Sequence, residues 1–181
     1  KILGGGLPGG AVVGKAEVVD MIQHRGDPQW DAEERVRHPG TFNGNPISAA
    51  AGAKALELVA TTNLNARADA MAWRLKEGLN QVLARLEIPG CASGVASIVH
   101  VTLGVPHNCD REICNLSLEQ IRNSMPPHRL GVLKRSLLNV GIDPMGGRNC
   151  IVSATHTEQD IDQTIAAYEE ALTAMRDEGS I

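Results

Sequence analysis

The sequence predicts an α/β chain in two parts: a loop-and-helix segment over residues 1–62, and a small α+β domain over 63–181 in which helices cover a short sheet. Three observations predict it. Apolar residues recur at steps of four and three over 63–86 (Leu64, Ala68, Met71, Leu75, Leu79, Val82, Leu86) and again near the end (Ile161, Ile165, Tyr168, Leu172, Met175), the period of a helix with one buried stripe. Between these helices lies an apolar, β-branched run over 95–103, which suits a strand. Ahead of both, the chain opens on KILGGGLPGGAVVG, too rich in glycine to be regular helix or strand throughout.

Taken in order, residues 1–14 read as a turn-rich loop, with Gly10 to Val13 entering a short strand. Residues 15–22 suit a short helix carrying Val18, Val19 and Ile22. Residues 23–40 are polar, hold Pro28 and Pro39, and leave room for one helical turn over 31–35. Asn45 is a good N-cap and Pro46 a good first helical residue, so a helix runs from Pro46 to about Ala60. Its alanines and Gly52 predict close packing against a neighbouring element. The long helix over 63–86 stops at Pro89-Gly90. After the 95–103 strand comes polar loop over 106–115, then a short helix over 117–125 stopped by Pro126-Pro127. A helix over 128–140 follows, with Gly141 as its C-cap. Residues 142–145 and 149–153 read as short strands around Gly146-Gly147, and Thr157-x-x-Asp160 opens the last helix as a capping box.

Composition excludes several functions. The chain is 43% hydrophobic and 21% charged, ordinary for a globular domain, and aromatics are only 2%, so base-stacking platforms for single-stranded nucleic acid are not expected. A formal net charge of −4 offers nothing to a phosphate backbone, and no apolar run is long enough to span a membrane. No N-terminal signal peptide is visible; the chain starts at Lys1 rather than Met and reads as a fragment. The cysteines, Cys91, Cys109, Cys114 and Cys150, form no CxxC pair and are expected to be free thiols in a reducing cytoplasm. A zinc set of Cys109, Cys114, His107 and Asp110 lacks the usual paired spacing, so no metal is expected.

Two segments carry chemistry. A lysine beside a glycine-rich loop suits a nucleophilic amine next to a bulky aldehyde cofactor, a backbone anion nest, or simply an exposed lysine before a flexible loop. The Walker pattern is excluded, because Gly14-Lys15-Ala16 lacks the hydroxyl. The second segment, Gly40-Thr41-Phe42-Asn43-Gly44-Asn45-Pro46, puts a hydroxyl and glycine amides just before a helix. It reads equally as an anion site at a helix start and as plain capping by Asn45. Ser153 and His156 are explained by the turn into the last helix rather than by a catalytic pair.

Lys1-Ile2-Leu3-Gly4-Gly5-Gly6-Leu7-Pro8-Gly9-Gly10-Ala11, His38-Pro39-Gly40-Thr41-Phe42-Asn43-Gly44-Asn45-Pro46 and Ser153-Ala154-Thr155-His156-Thr157-Glu158-Gln159-Asp160-Ile161-Asp162 occur in that order. Together they resemble the glutamate-1-semialdehyde aminomutase branch of the class III, fold-type I enzymes dependent on pyridoxal 5'-phosphate (PLP), over essentially the whole chain. The resemblance implies the end of a PLP-binding large domain over 1–62 and a small C-terminal α+β domain over 63–181. It implies that Lys1 carries the cofactor and shuttles a proton, and that Gly40 and Thr41 contact the cofactor phosphate across the interface of a homodimer with shared sites. It implies a small amino acid or amino aldehyde substrate, with glutamate-1-semialdehyde conversion to 5-aminolevulinate as the reaction. Alternatives are amino transfer to a keto acid and a non-catalytic relative that keeps the fold. The groups that hold the pyridine ring and the main phosphate loop lie upstream of Lys1 in the family, so the isolated chain is expected to be inactive. Gly146-Gly147-Arg148 departs from the family pattern; Arg148 suits a substrate carboxylate, although a surface or ion-pair role is the commoner one for arginine.

Overall fold

Among the described residues, every strand and every buried apolar side chain lies beyond Thr62. The computed structural model describes residues 1–106, 109–110 and 112–181. The chain divides into two units, Lys1–Thr62 and Asn63–Ile181.

In the second unit, helix α3 (Leu64–Arg85) buries Ala68, Ala72, Leu75, Leu79 and Val82, the stripe expected from the spacing widened by Ala72. A three-stranded antiparallel sheet follows in the order β1 (Gly90–Ser93), β2 (Ile98–Leu103), β3 (Asn149–Ile151). Along β2 the period is two: Val99, Val101 and Leu103 are buried, whereas Ile98 and His100 face out. The strand starts later than the apolar run suggests, because Gly94 (φ 145°) and Ala96 (φ 52°) form the turn that returns the chain onto β1. Strand β1 was not legible in sequence. Its residues, Gly-Cys-Ala-Ser, have no β-branched side chain, and its ladder with β2 pairs Ala92 with Val101.

The free edge of β1 is closed by a side chain. Asn80 of α3 accepts from the Ala92 amide (2.9 Å) and donates to the Ala92 carbonyl (2.9 Å), imitating a neighbouring strand, and it also donates to the Lys76 carbonyl (2.8 Å). Ala92 is fully buried, so removing this amide strands two backbone groups. Asn80→Leu is expected to lower unfolding stability by about 1–3 kcal/mol, read from denaturant midpoints. Wild-type stability in that variant would show that water satisfies the edge instead. Nearby, the buried Lys76 amine donates to the Gly94 carbonyl (2.6 Å).

Helices α4 (Leu118–Ser124) and α5 (Pro127–Asn139) follow, the first with a capping box between Ser117 and Gln120. Helix α5 ends as expected at Gly141 (φ 88°), where the Ile142 amide reaches the Leu137 carbonyl (2.9 Å). Residues 142–145 do not form the expected strand; only Met145 bridges Asn149, because Gly146 and Gly147, both at positive φ, turn the chain at once. Helix α6 (Glu158–Asp177) opens on the expected capping box. The Thr157 hydroxyl accepts from the Asp160 amide (3.2 Å), and Asp160 accepts from the Thr157 amide (2.7 Å) and hydroxyl (2.8 Å). Those bonds hold the Asp160 carboxyl below its ordinary range. Inside the core Tyr168 is fully buried, its hydroxyl 3.5 Å from Cys150 Sγ, and burial pushes both groups' pKa values up.

The expectation of four free thiols is corrected. Cys91 and Cys109 are joined as a disulfide, with Cα atoms 6.8 Å apart, and Cys114 and Cys150 are free. The hairpin brings the loop after β2 back beside β1, a proximity that cysteine spacing does not encode. His107 of the candidate zinc set lies outside the described residues, and among the described residues no cluster is suited to a metal ion. No described helix is long and apolar enough to cross a membrane.

The first unit holds a short helix, α1 (Ala16–Val19), which tightens into a 3₁₀ turn over Asp20–Ile22, then a π-helical turn (Trp30–Glu34) and helix α2 (Pro46–Thr61). The expected strand over 10–13 is absent; that stretch is irregular. Asp31 accepts from the amides of Arg25 and Gly26 (both 3.0 Å), and the Arg25 guanidinium lies 3.5 Å from the Trp30 ring centre. Buried residues here are Gly4, Ser48 and Gly52, so this unit closes no apolar core of its own.

Candidate functional site

The glycine loop is folded by consecutive turns: the Gly5 amide donates to Ile2 O (3.1 Å), Gly6 to Lys1 O (2.9 Å) and Leu7 to Gly4 O (3.1 Å). Lys1 heads this loop. Its side chain is exposed and makes no hydrogen bond or ion pair with the described residues.

The loop lies against the small-residue face of α2, as the alanine-rich composition predicted. A Cβ on Gly52 would stand 2.7 Å from Leu3 O, and one on Gly5 would stand 2.7 Å from Ala51 O. Backbone therefore touches backbone at both positions, and only glycine allows it.

Ahead of α2 the chain makes two linked turns, from Asn43 N to Gly40 O (3.0 Å) and from Asn45 N to Phe42 O (3.1 Å), with Gly44 at φ 67°. The Asn43 side chain donates to His38 O (2.8 Å) and lies against Gly40, where a Cβ would come within 2.5 Å of its oxygen. The two sequence readings of the helix start are now separable. Asn45 Oδ1 accepts from the amides of Ile47 (3.1 Å) and Ser48 (3.0 Å), and Asn45 O accepts from Ala49 (2.9 Å). Pro46 has no amide, so the first turn of α2 is already satisfied. What remains open is the preceding turn: the amide and hydroxyl of Thr41 make no hydrogen bond among the described residues.

These segments border one groove of about 850 Å³. Its walls include Gly4, Gly9 and Gly10 on one side, Gly40, Thr41 and Asn43 on another, and Ser48 and Gly52 of α2. No acidic side chain lines it. Unclaimed donors, small walls and the absence of carboxylates fit the phosphate end of PLP. Gly40 and Thr41 are thus brought into the groove with the glycine loop, while Lys1 is not among its lining residues. Ser48 was missed from sequence; a serine inside an alanine run is the signal that could have marked it.

Arg148 belongs to the second unit, half-buried at the end of the Gly146-Gly147 turn. Its carbonyl accepts from the Val101 amide (2.9 Å), and its guanidinium has no ion-pair partner among the described residues. A smaller cavity of about 260 Å³ in that unit is lined by Met145, Cys150, His156 and Asp160, among others. Its polar groups are committed to turns: His156 Nδ1 accepts from the Ser153 amide (2.9 Å), and the Ser153 hydroxyl meets Thr155 Oγ1 (3.0 Å), so Ser153 and His156 form no nucleophilic pair.

Comparison with known proteins identifies the family. The family model described as Aminotransferase class-III matches residues 1–120. The glutamate-1-semialdehyde 2,1-aminomutase of Methanococcoides burtonii is 30% identical over 175 residues, which is 93% of this chain and 36% of that protein. An omega-transaminase from Sphaerobacter thermophilus is similar in structure, with a TM-score of 0.77 and 26% identity, over 96% of this chain and 37% of that one. A β-phenylalanine aminotransferase from Variovorax paradoxus has a TM-score of 0.71 and 25% identity, over 99% of this chain and 37% of that one. The chain spans little more than a third of the length of these relatives. The structural likeness bears out the expected fold class, part of a fold-type I transferase. Because the family match runs from Lys1 to Gln120 and takes in both the glycine loop and the Gly40–Thr41 turn, the chain belongs to the class-III aminotransferase family.

Proposed function

We propose that this chain supplies the lysine and part of the phosphate grip of a PLP-dependent aminomutase that converts glutamate-1-semialdehyde to 5-aminolevulinate. The observation that carries the reading is the Gly40–Thr41 turn, whose amide and hydroxyl make no hydrogen bond among the described residues and open onto a groove lined by no acidic side chain. The 30% identity to an aminomutase favours this substrate.

PLP, when bound, supplies an electron sink at the amino-bearing carbon of the substrate. Lys1 anchors the cofactor through its amine and, once released, holds and returns a proton at Nζ. Gly40 and Thr41 hold the phosphate through a backbone amide and a hydroxyl, and do so for the site of a twin subunit in a homodimer. Arg148, lacking an ion-pair partner among the described residues, is the candidate for the substrate carboxylate, which its planar fork matches. Intermolecular transamination is the second reading, favoured by the likeness to an omega-transaminase and a β-phenylalanine aminotransferase.

Incubating the whole protein that carries this chain with glutamate-1-semialdehyde, with and without a keto acid, separates the two. The expected result is 5-aminolevulinate without any keto acid. Product that appears only when keto acid is added sinks the mutase reading and leaves the transaminase.

A further inference from the structure

Ser48 is the one hydroxyl of α2 that is buried. It is 9% exposed, and its hydroxyl makes no hydrogen bond among the described residues; its amide alone is engaged, by Asn45 Oδ1 at 3.0 Å. The hydroxyls at the far end of the helix behave differently: Thr61 donates to Glu57 O (2.7 Å) and Thr62 to Leu58 O (2.5 Å), each turning back on its own helix. The Ser48 side chain lines the groove, where a hydroxyl with no protein partner among the described residues can donate to a ligand, and the positions around it, Ala49, Gly52 and Ala53, show how readily this face takes small apolar residues. Ser48 lines the same groove as Thr41, which also holds an unengaged hydroxyl and amide. With no carboxylate on the groove wall and the positive end of the helix dipole beside it, the ligand that satisfies these donors is an anion with several oxygens.

We propose that the Ser48 hydroxyl is a further contact to the phosphate monoester gripped at Gly40 and Thr41, so that the two hydroxyls and the Thr41 amide are shared among its oxygens. This rests on the PLP reading given above.

The test compares the whole protein that carries this chain with its Ser48→Ala variant by titration with PLP and with pyridoxal, which lacks the phosphate, followed by absorbance and fluorescence. Alanine suits this helical position and leaves the Asn45 cap intact, so circular dichroism is expected to be unchanged. Ser48→Ala is expected to weaken PLP about tenfold, the scale of one hydrogen bond to a charged group, and to leave pyridoxal affinity within about twofold. Inorganic phosphate is expected to compete with PLP, with an inhibition constant about tenfold higher in the variant. Unchanged PLP affinity overturns the Ser48 contact alone, as does equal weakening of PLP and pyridoxal, which would mark Ser48 as packing. A wild-type protein that takes up no PLP overturns the functional reading and this contact together.

Discussion

Lys1→Ala, made in the whole protein that carries this chain, is expected to abolish turnover while leaving the fold intact. Loss of the proton carrier alone costs roughly 10²–10⁴-fold in rate, and loss of the covalent anchor adds to it. The fold is spared because the Lys1 side chain is exposed and makes no hydrogen bond or ion pair among the described residues; only its carbonyl is used, by Gly6, and alanine keeps it. The other lysines give the test its power. Lys54 pairs with Glu57 at 2.8 Å, Lys76 is buried against Gly94 O, and Lys134 lies 3.7 Å from Asp143. Borohydride reduction in the presence of PLP, followed by peptide mass mapping, is therefore expected to label Lys1 in the wild type and nothing in the variant. A label on Lys15 or any other lysine, or wild-type turnover in Lys1→Ala, would end the reading.

Gly52→Val is expected to destabilise the protein by about 1–3 kcal/mol and to remove most PLP binding, although position 52 lies inside a helix where glycine is a poor choice. Two effects oppose. Replacing a helical glycine by a residue with a side chain gains up to about 1 kcal/mol of helix propensity, less for β-branched valine. Against that, the new Cβ would stand 2.7 Å from Leu3 O, a backbone atom that no rotamer change can move. The collision wins, because relieving it means shifting the loop that begins at Lys1. Thermal unfolding and PLP titration, each run on Gly52→Ala and Gly52→Val, are expected to show graded loss. A variant as stable and as well loaded as wild type would mean that the loop does not rest on α2.

Local patterns made much of the chain readable. The stripes over 63–86 and 161–175 became α3 and α6 because a helical period brings its apolar residues to one face whatever they later pack against. The Thr157–Asp160 box and Gly141 marked helix ends for the same reason: their hydrogen bonds close within a turn of the chain. Where reading failed, the deciding partner was distant. Strand β1 is held by β2 and by Asn80, twelve residues from Ala92, and nothing in Gly-Cys-Ala-Ser announces it. The thiols of Cys91 and Cys109 meet only because a hairpin folds between them.

The site divides along the same line. The sequence by itself determined that an amine heads a glycine loop, that a Gly-Thr step precedes a helix, and that this helix carries small residues; these are matters of residue type and short spacing. Only the tertiary structure decided that Asn45 consumes the helix-start amides, that the Thr41 turn is left open, and that Ser48 lines the groove with a hydroxyl that makes no hydrogen bond among the described residues. Which donor is already spent and which remains for a ligand depends on distances between atoms far apart in the chain, and those distances exist only once Leu3 has come to rest over Gly52.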